Sequence, residues 1–223
     1  MPTSESTCWT VIRAAAAGSP ADRDELARRY LVFRAYLAAR WRGSPLRDDL
    51  DDATQEVFVE CFRQGGAVEV AGAGRVPAFR AFLYGVIRNV ARRFESRPAV
   101  TRRVAAGPVP DIAADEVSPS RLFDRTWAEA IMAEAARLQR QRAAAGGPEA
   151  VRRVELLRLR FEENLPIRAI AERWGADAAR LHHAYALARR EFRAALLEVV
   201  AFHHPGTAAE VEQEAADLLK ALS

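Results

Sequence analysis

Residues 77–94, PAFRAFLYGVIRNVARRF, constrain the fold of this chain more than any other stretch. Phe79, Phe82, Leu83, Val86, Ile87, Val90 and Phe94 recur at the three- and four-residue steps of a helix with one buried face. Pro77 suits the first helical turn, where its missing N–H costs nothing. The remaining surface is cationic. Arg80, Tyr84 and Arg88 climb one flank at four-residue steps, and Asn89, Arg92 and Arg93 extend it. Residues 75–97 hold six Arg and one Glu. A helix with an apolar back and an Arg/Asn/Tyr front suits a polyanion, because Arg pairs with phosphates while Asn and Tyr can reach bases. The competing reading is a solvated helix in an Arg-rich protein. Lys220 is the only lysine, so an Arg bias runs through the whole chain and Arg count alone does not identify a nucleic-acid binder.

No stretch alternates with period two, so the fold class expected is all-α. A first helix is expected over residues 6–17. Ser19-Pro20 restarts the chain, and Leu26, Tyr30, Phe33, Leu37 and Trp41 line a second helix that Gly43-Ser44-Pro45 breaks. A third helix opens at the acidic cluster Asp48, Asp49, Asp51 and Asp52, which suits a helix N-terminus. Asp52 and Gln55 have capping-box spacing. Leu50, Thr54, Val57, Phe58, Cys61 and Phe62 form its apolar face; Gln55, Glu56, Val59, Glu60 and Arg63 form its outer face. Residues 65–74 read as a glycine-rich loop without the context of a nucleotide site.

Residues 97–119 carry four prolines and no helical stripe, and read as a linker. A second helical domain is expected over 120–204, after a first over 1–96. Phe123, Trp127, Ile131, Ala135 and Leu138 line a helix reaching about residue 141. Another runs from Pro148 to about residue 163, with Val151, Val154, Leu157 and Phe161 inward. A short helix over 166–174, a turn at Gly175 and a longer helix from about residue 177 form a helix-turn-helix pattern. Ile170, Ala171, Leu181 and Tyr185 would pack the pair, leaving Arg180, His182, His183, Arg189 and Arg190 outside. Residues 205–223 form an acidic amphipathic tail, with Val211, Ala215, Leu218, Leu219 and Leu222 on one side. It is expected to dock on the second domain, either capping its core or lowering its affinity for DNA.

Charge follows this division. Residues 1–97 have 15 Arg against 12 acids and residues 127–198 have 13 Arg against 10, whereas residues 199–223 have one Lys and four acids. Two basic bodies thus precede an acidic tail. No phosphate loop, metalloprotease or hydrolase motif is present, so no catalytic residues and no cofactor are expected, and an enzyme is the weakest class. The histidines form the pairs His182-His183 and His203-His204. Adjacent helical residues diverge by about 100°, which argues against a metal site. Two distant cysteines give no disulfide framework. No apolar run approaches a membrane span and no signal-peptide core opens the chain, so the expected location is the cytoplasm, without a membrane partner.

Four stretches in order resemble a known family. Asp52-Ala53-Thr54-Gln55-Glu56-Val57-Phe58 resembles the D-x-x-Q-E-x-F of sigma-factor region two, and Phe79 to Asn89 resembles its FRxWLYxIxRN helix. Leu157-Arg158-Leu159-Arg160-Phe161 and Ile170-Ala171-Glu172-Arg173-Trp174-Gly175 resemble the LRLRF and IAERLG of region four. The chain thus resembles an extracytoplasmic-function (ECF) RNA polymerase sigma factor, in a subgroup with a short C-terminal extension. The resemblance implies a region-two bundle and a region-four helix-turn-helix joined by a proline-containing linker that threads the polymerase. It implies partners: core RNA polymerase through its β′ clamp and β subunit, promoter DNA, and an anti-sigma factor as an admissible third. By position, Asp52, Gln55 and Glu56 would meet the β′ clamp. Arg80, Arg88, Asn89, Arg92 and Arg93 would meet the minus-ten DNA, with Tyr84 on the same flank. Residues 65–74 would lie where the family holds the flipped base. The recognition helix departs from the family: His182 and Ala184 stand where lysine and arginine are usual, which implies weaker or altered minus-thirty-five reading. The alternative function is a helix-turn-helix regulator acting without polymerase. A helical scaffold would leave the paired basic faces unexplained.

Overall fold

The computed structural model describes residues 32–62, 79–97, 118–204 and 206–222. The helix expected at 6–17, Leu26 and Tyr30 of the second, the loop 65–74 and nearly all of the linker lie outside the described residues. Every regular element among the described residues is helical, with no strand. None of these helices is long and apolar enough to cross a membrane. The chain divides into two compact units. One is Met1–Ala130 together with Ala201–Ser223; the other is Ile131–Val200.

In the first unit, α1 (Val32–Arg40) leads through a 3-10 turn (Pro45–Asp49) to α2 (Leu50–Phe62), and α3 spans Phe79–Glu95. Contacts run from α2 to both α1 and α3. Val32, Phe33, Tyr36, Leu37 and Trp41 are buried on the α1 side, Leu50, Ala53, Val57 and Cys61 on α2, and Leu83, Ile87, Val90, Ala91 and Phe94 on α3. The three sets recur every three or four residues, so each helix gives one stripe to a shared core. Phe82 and Val86, expected in the stripe, are half-buried. Leu83, one position on, points into the core at 2% exposure.

The entry to α2 also differs from expectation. Ser44 caps the 3-10 turn, its hydroxyl accepting from the Leu46 N–H, and Pro45 holds the first position. Asp52 sits inside α2 and is exposed, so the Asp52–Gln55 capping box does not form. Asp51 instead reaches across to Arg34 at 2.9 Å.

The first turns of α4 (Pro119–Gly146) belong to this unit. Phe123 meets Tyr36 edge-on at 5.6 Å and lies 5.1 Å from Tyr84. The expected second domain starts at residue 120, whereas contacts assign the chain up to Ala130 to the first unit. The last helix, α8 (Ala208–Ala221), is also part of this unit and not of the second, where the tail was expected to dock. Thr207 and Glu210 close a capping box at its start. Val211, Ala215 and Leu218 are buried, whereas Leu219 is exposed.

The second unit holds the rest of α4, then α5 (Pro148–Phe161), α6 (Ile167–Trp174) and most of α7 (Ala178–His203). The expected break over residues 143–147 is narrower: α4 continues to Gly146, and Gly147 alone turns the chain at φ +90°. Few side chains tolerate that angle. The inward face of α5 is only partly the expected one, with Val154 and Leu157 half-buried. Ala150, Leu156 and Leu159 are buried, while Val151 and Phe161 are 49% and 68% exposed. Leu138 is half-buried, and the neighbouring Gln139 is buried instead, donating to the Ala188 carbonyl at 3.1 Å.

Candidate nucleic-acid interface

The two surfaces that the sequence singles out on the first unit lie on the packed pair α2 and α3. On α2, Asp52 and Gln55 are exposed and Glu56 is half-buried. Glu60, one turn beyond Glu56, completes an acidic edge. Val59 lies between them at 54% exposure, an apolar spot within the acidic edge.

On α3 the six expected DNA-facing residues part into three groups. Arg88, Asn89 and Arg92 are exposed and turned away from the core. They present two guanidinium groups and an amide within about one turn. Tyr84 is half-buried among rings, 6.4 Å edge-on from Tyr36 and 5.1 Å from Phe123. Its ring is a packing element more than a free probe. Arg80 and Arg93 are held by carboxylates. Arg93 bridges Glu60 at 2.7 Å and Glu56 at 3.1 Å, so it joins the cationic edge to the acidic one. Arg80 lies 3.2 Å from Glu214 on α8 and 3.6 Å from Asp124 on α4. The sequence reading did not include Arg97, whose guanidinium covers the Phe94 ring at 3.6 Å beyond the helix end. Its place in the basic run of residues 75–97 was the available signal.

In the second unit, α6, Gly175 and α7 make the helix-turn-helix. Gly175 adopts the left-handed conformation at φ +57° and ψ +36°, which glycine reaches without steric penalty. The Ala176 N–H then returns to the Ala171 carbonyl at 2.9 Å. Asp177 starts α7, its carboxylate accepting from the Arg180 N–H at 2.8 Å. Leu156, Leu159, Ile167, Ile170, Ala171 and Leu181 form the buried cluster beneath the motif, with Tyr185 partly buried against it. That is the expected packing of Ile170, Ala171, Leu181 and Tyr185. Arg153 on α5 grips Glu191 on α7 through two donors at 2.6 and 3.0 Å, fixing the second helix against the first unit-two helices.

Arg180, His182, His183, Arg189 and Arg190 are all exposed on α7. His182, Ala186, Arg189, Arg190 and Arg193 share one side at helical spacing. Arg193, also exposed, extends the row and was missed, although its four-residue step from Arg189 was legible. Arg189 lies 5.8 Å from the Tyr185 ring centre. An open hollow of about 440 Å³ sits beside the turn, with Arg152, Trp174 and Arg180 among its lining residues. Arg152 stacks 4.7 Å over the Trp174 ring there. A basic, exposed helix face held by a rigid turn can enter a DNA groove and meet phosphates. Among the described residues, no three His, Cys, Asp or Glu side chains converge as metal ligands.

No family model, no curated protein and no solved structure matches the chain.

Proposed function

We propose that this chain is a two-domain bacterial sigma factor of the extracytoplasmic-function kind, which binds core RNA polymerase, directs it to promoters and assists DNA melting there. The observation that carries the reading is the pairing of unlike edges on adjacent helices: an acidic edge on α2 (Asp52 and Glu56, with the neutral Gln55 between them) and a cationic one on α3 (Arg88 and Arg92, with the neutral Asn89). A DNA-binding protein needs only the second. The first offers a protein partner something to grip, and the motif resemblance names that partner as the β′ clamp. The helix-turn-helix, with its exposed Arg and His face, supplies a second DNA-reading element for the minus-thirty-five position. His182 and Ala184 leave that face short of two usual cations, so minus-ten contacts carry more of the promoter choice.

The test is titration of the purified chain against core polymerase, followed by transcription from candidate promoters. Tight association with core enzyme and promoter-dependent initiation support the reading. Duplex binding without any affinity for core polymerase would instead support the alternative, a helix-turn-helix regulator, which the exposed α7 face alone would satisfy.

A further inference from the structure

We propose that α8 is a built-in inhibitor of the α3 cationic edge, acting through Glu214 on Arg80. The inference rests on α3 facing DNA, as above. Three observations carry it. First, α8 is an ordered part of the first unit, with a capping box at its start and Val211, Ala215 and Leu218 buried. Secondly, its acidic flank meets a cation of α3: Arg80 Nη1 lies 3.2 Å from Glu214 Oε1, across 134 positions of sequence. Thirdly, Asp124 approaches the same guanidinium at 3.6 Å, so two carboxylates oppose one positive charge. Arg80 is half-buried there, whereas Arg88 and Arg92, further along the same helix, are exposed.

A helix that only capped the core would need its three buried apolar residues and nothing at position 214. The carboxylate at that position does separate work. A phosphate approaching Arg80 meets a neutralised cation with an acidic helix behind it, since Glu210, Glu212 and Asp217 are exposed on α8. Withdrawing the Glu214 charge leaves Arg80 opposed only by the more distant Asp124 carboxylate at 3.6 Å, from which a phosphate can draw the guanidinium.

The full-length chain is titrated with a fluorescent duplex of mixed sequence at about 50 and about 200 mM salt, because one added phosphate contact steepens the salt dependence by roughly one unit. Four proteins are compared: parent, Glu214→Gln, Arg80→Gln and the double variant. Glutamine keeps the size of glutamate and leaves the buried side of α8 untouched; equal melting temperatures check that the helix stays docked. Glu214→Gln should bind about threefold more tightly at the lower salt and approach parity at the higher. Arg80→Gln should abolish that gain, so that the double variant binds like Arg80→Gln alone. A gain that persists without Arg80 is a general charge effect and overturns the proposal. So does an unchanged affinity in Glu214→Gln. In either case, core-polymerase binding by the parent would leave the proposed function standing; absence of duplex binding in all four proteins would likewise overturn the inhibitor proposal and leave the function to the core-polymerase titration.

Discussion

Arg40 and Glu95 meet through two parallel hydrogen bonds, Nε to Oε1 at 2.7 Å and Nη2 to Oε2 at 3.0 Å, from the ends of α1 and α3. The Trp41 indole adds a third to the same carboxylate at 3.0 Å. Burial pushes the Glu95 carboxyl up, but the hydrogen bonds from Arg40 and Trp41 outweigh it and hold the group below the usual carboxylate range. A carboxyl depressed on folding stabilises the fold above its unfolded pKa, and the benefit is lost as pH falls through the folded value. Urea midpoints should therefore fall as pH drops below the usual carboxylate range, and fall less in Glu95→Gln. Glu95→Ala should cost about 2 kcal/mol at neutral pH, because it strands a half-buried guanidinium. A parallel acid profile in parent and Glu95→Gln would contradict this account.

Leu83 and Phe82 separate the buried stripe of α3 from its margin. Leu83→Ala should cost about 2–5 kcal/mol, since the side chain is enclosed by the α2–α3 core. Phe82→Ala should cost clearly less. Thermal melts of the two variants decide the order, and a larger loss for Phe82 would mean that the helix is rotated by one position.

Gly175 tests the helix-turn-helix. A Cβ at this position meets no atom within 4 Å, but the φ of +57° remains unfavourable for alanine. Gly175→Ala should therefore cost about 1 kcal/mol through backbone strain alone, with no clash to add to it. A loss several times larger in chemical denaturation would show that the turn is tighter than this geometry.

Gln55 and Glu56 are neighbours with different ties. Gln55 is exposed, while Glu56 is 3.1 Å from Arg93 and 4.0 Å from Arg97. Under the proposed function, Gln55→Ala should weaken core-polymerase binding and leave duplex binding unchanged. Glu56→Ala should weaken the first and raise the second, because it loosens Arg93. Equal effects of both variants in both titrations would reject the division of labour between α2 and α3.

Local periodicity was enough to find α2, α3 and the helix-turn-helix. In each, a single apolar stripe overlaps the buried set, with Phe58, Phe82 and Val86 at its half-buried margin. It failed in part on α5, where Val151, Val154, Leu157 and Phe161 form the more regular stripe and compete with a second apolar side of Ala150, Leu156 and Leu159. A helix that is apolar on two sides is oriented by its neighbours, and here the buried cluster under α6 and α7 selects the Leu156–Leu159 side. The candidate site was legible as a list of residues but not as a state. That Arg80 and Arg93 are cations follows from the sequence; that Glu214 and Glu60 hold them depends on helices brought together only by folding. The entry to α2 was misread for a more local reason. Ser44 and Pro45 open a 3-10 turn that runs directly into α2, so the helix begins at Leu50 and Asp52 already lies within its first turn.

Cys61 closes the buried stripe of α2 at 2% exposure, beneath the half-buried Glu60. Burial, with a smaller push from the Glu60 carboxylate, raises its thiol to about 12. At neutral pH the folded molecule then keeps the protonated thiol rather than the thiolate, the form that reacts with peroxide or a disulfide. An oxidative stimulus therefore finds no purchase on this sulfur while the first unit stays folded. Alkylation of Cys61 becomes instead a clock for opening of the α2–α3 core, because the label can attach only to molecules that have already come apart there.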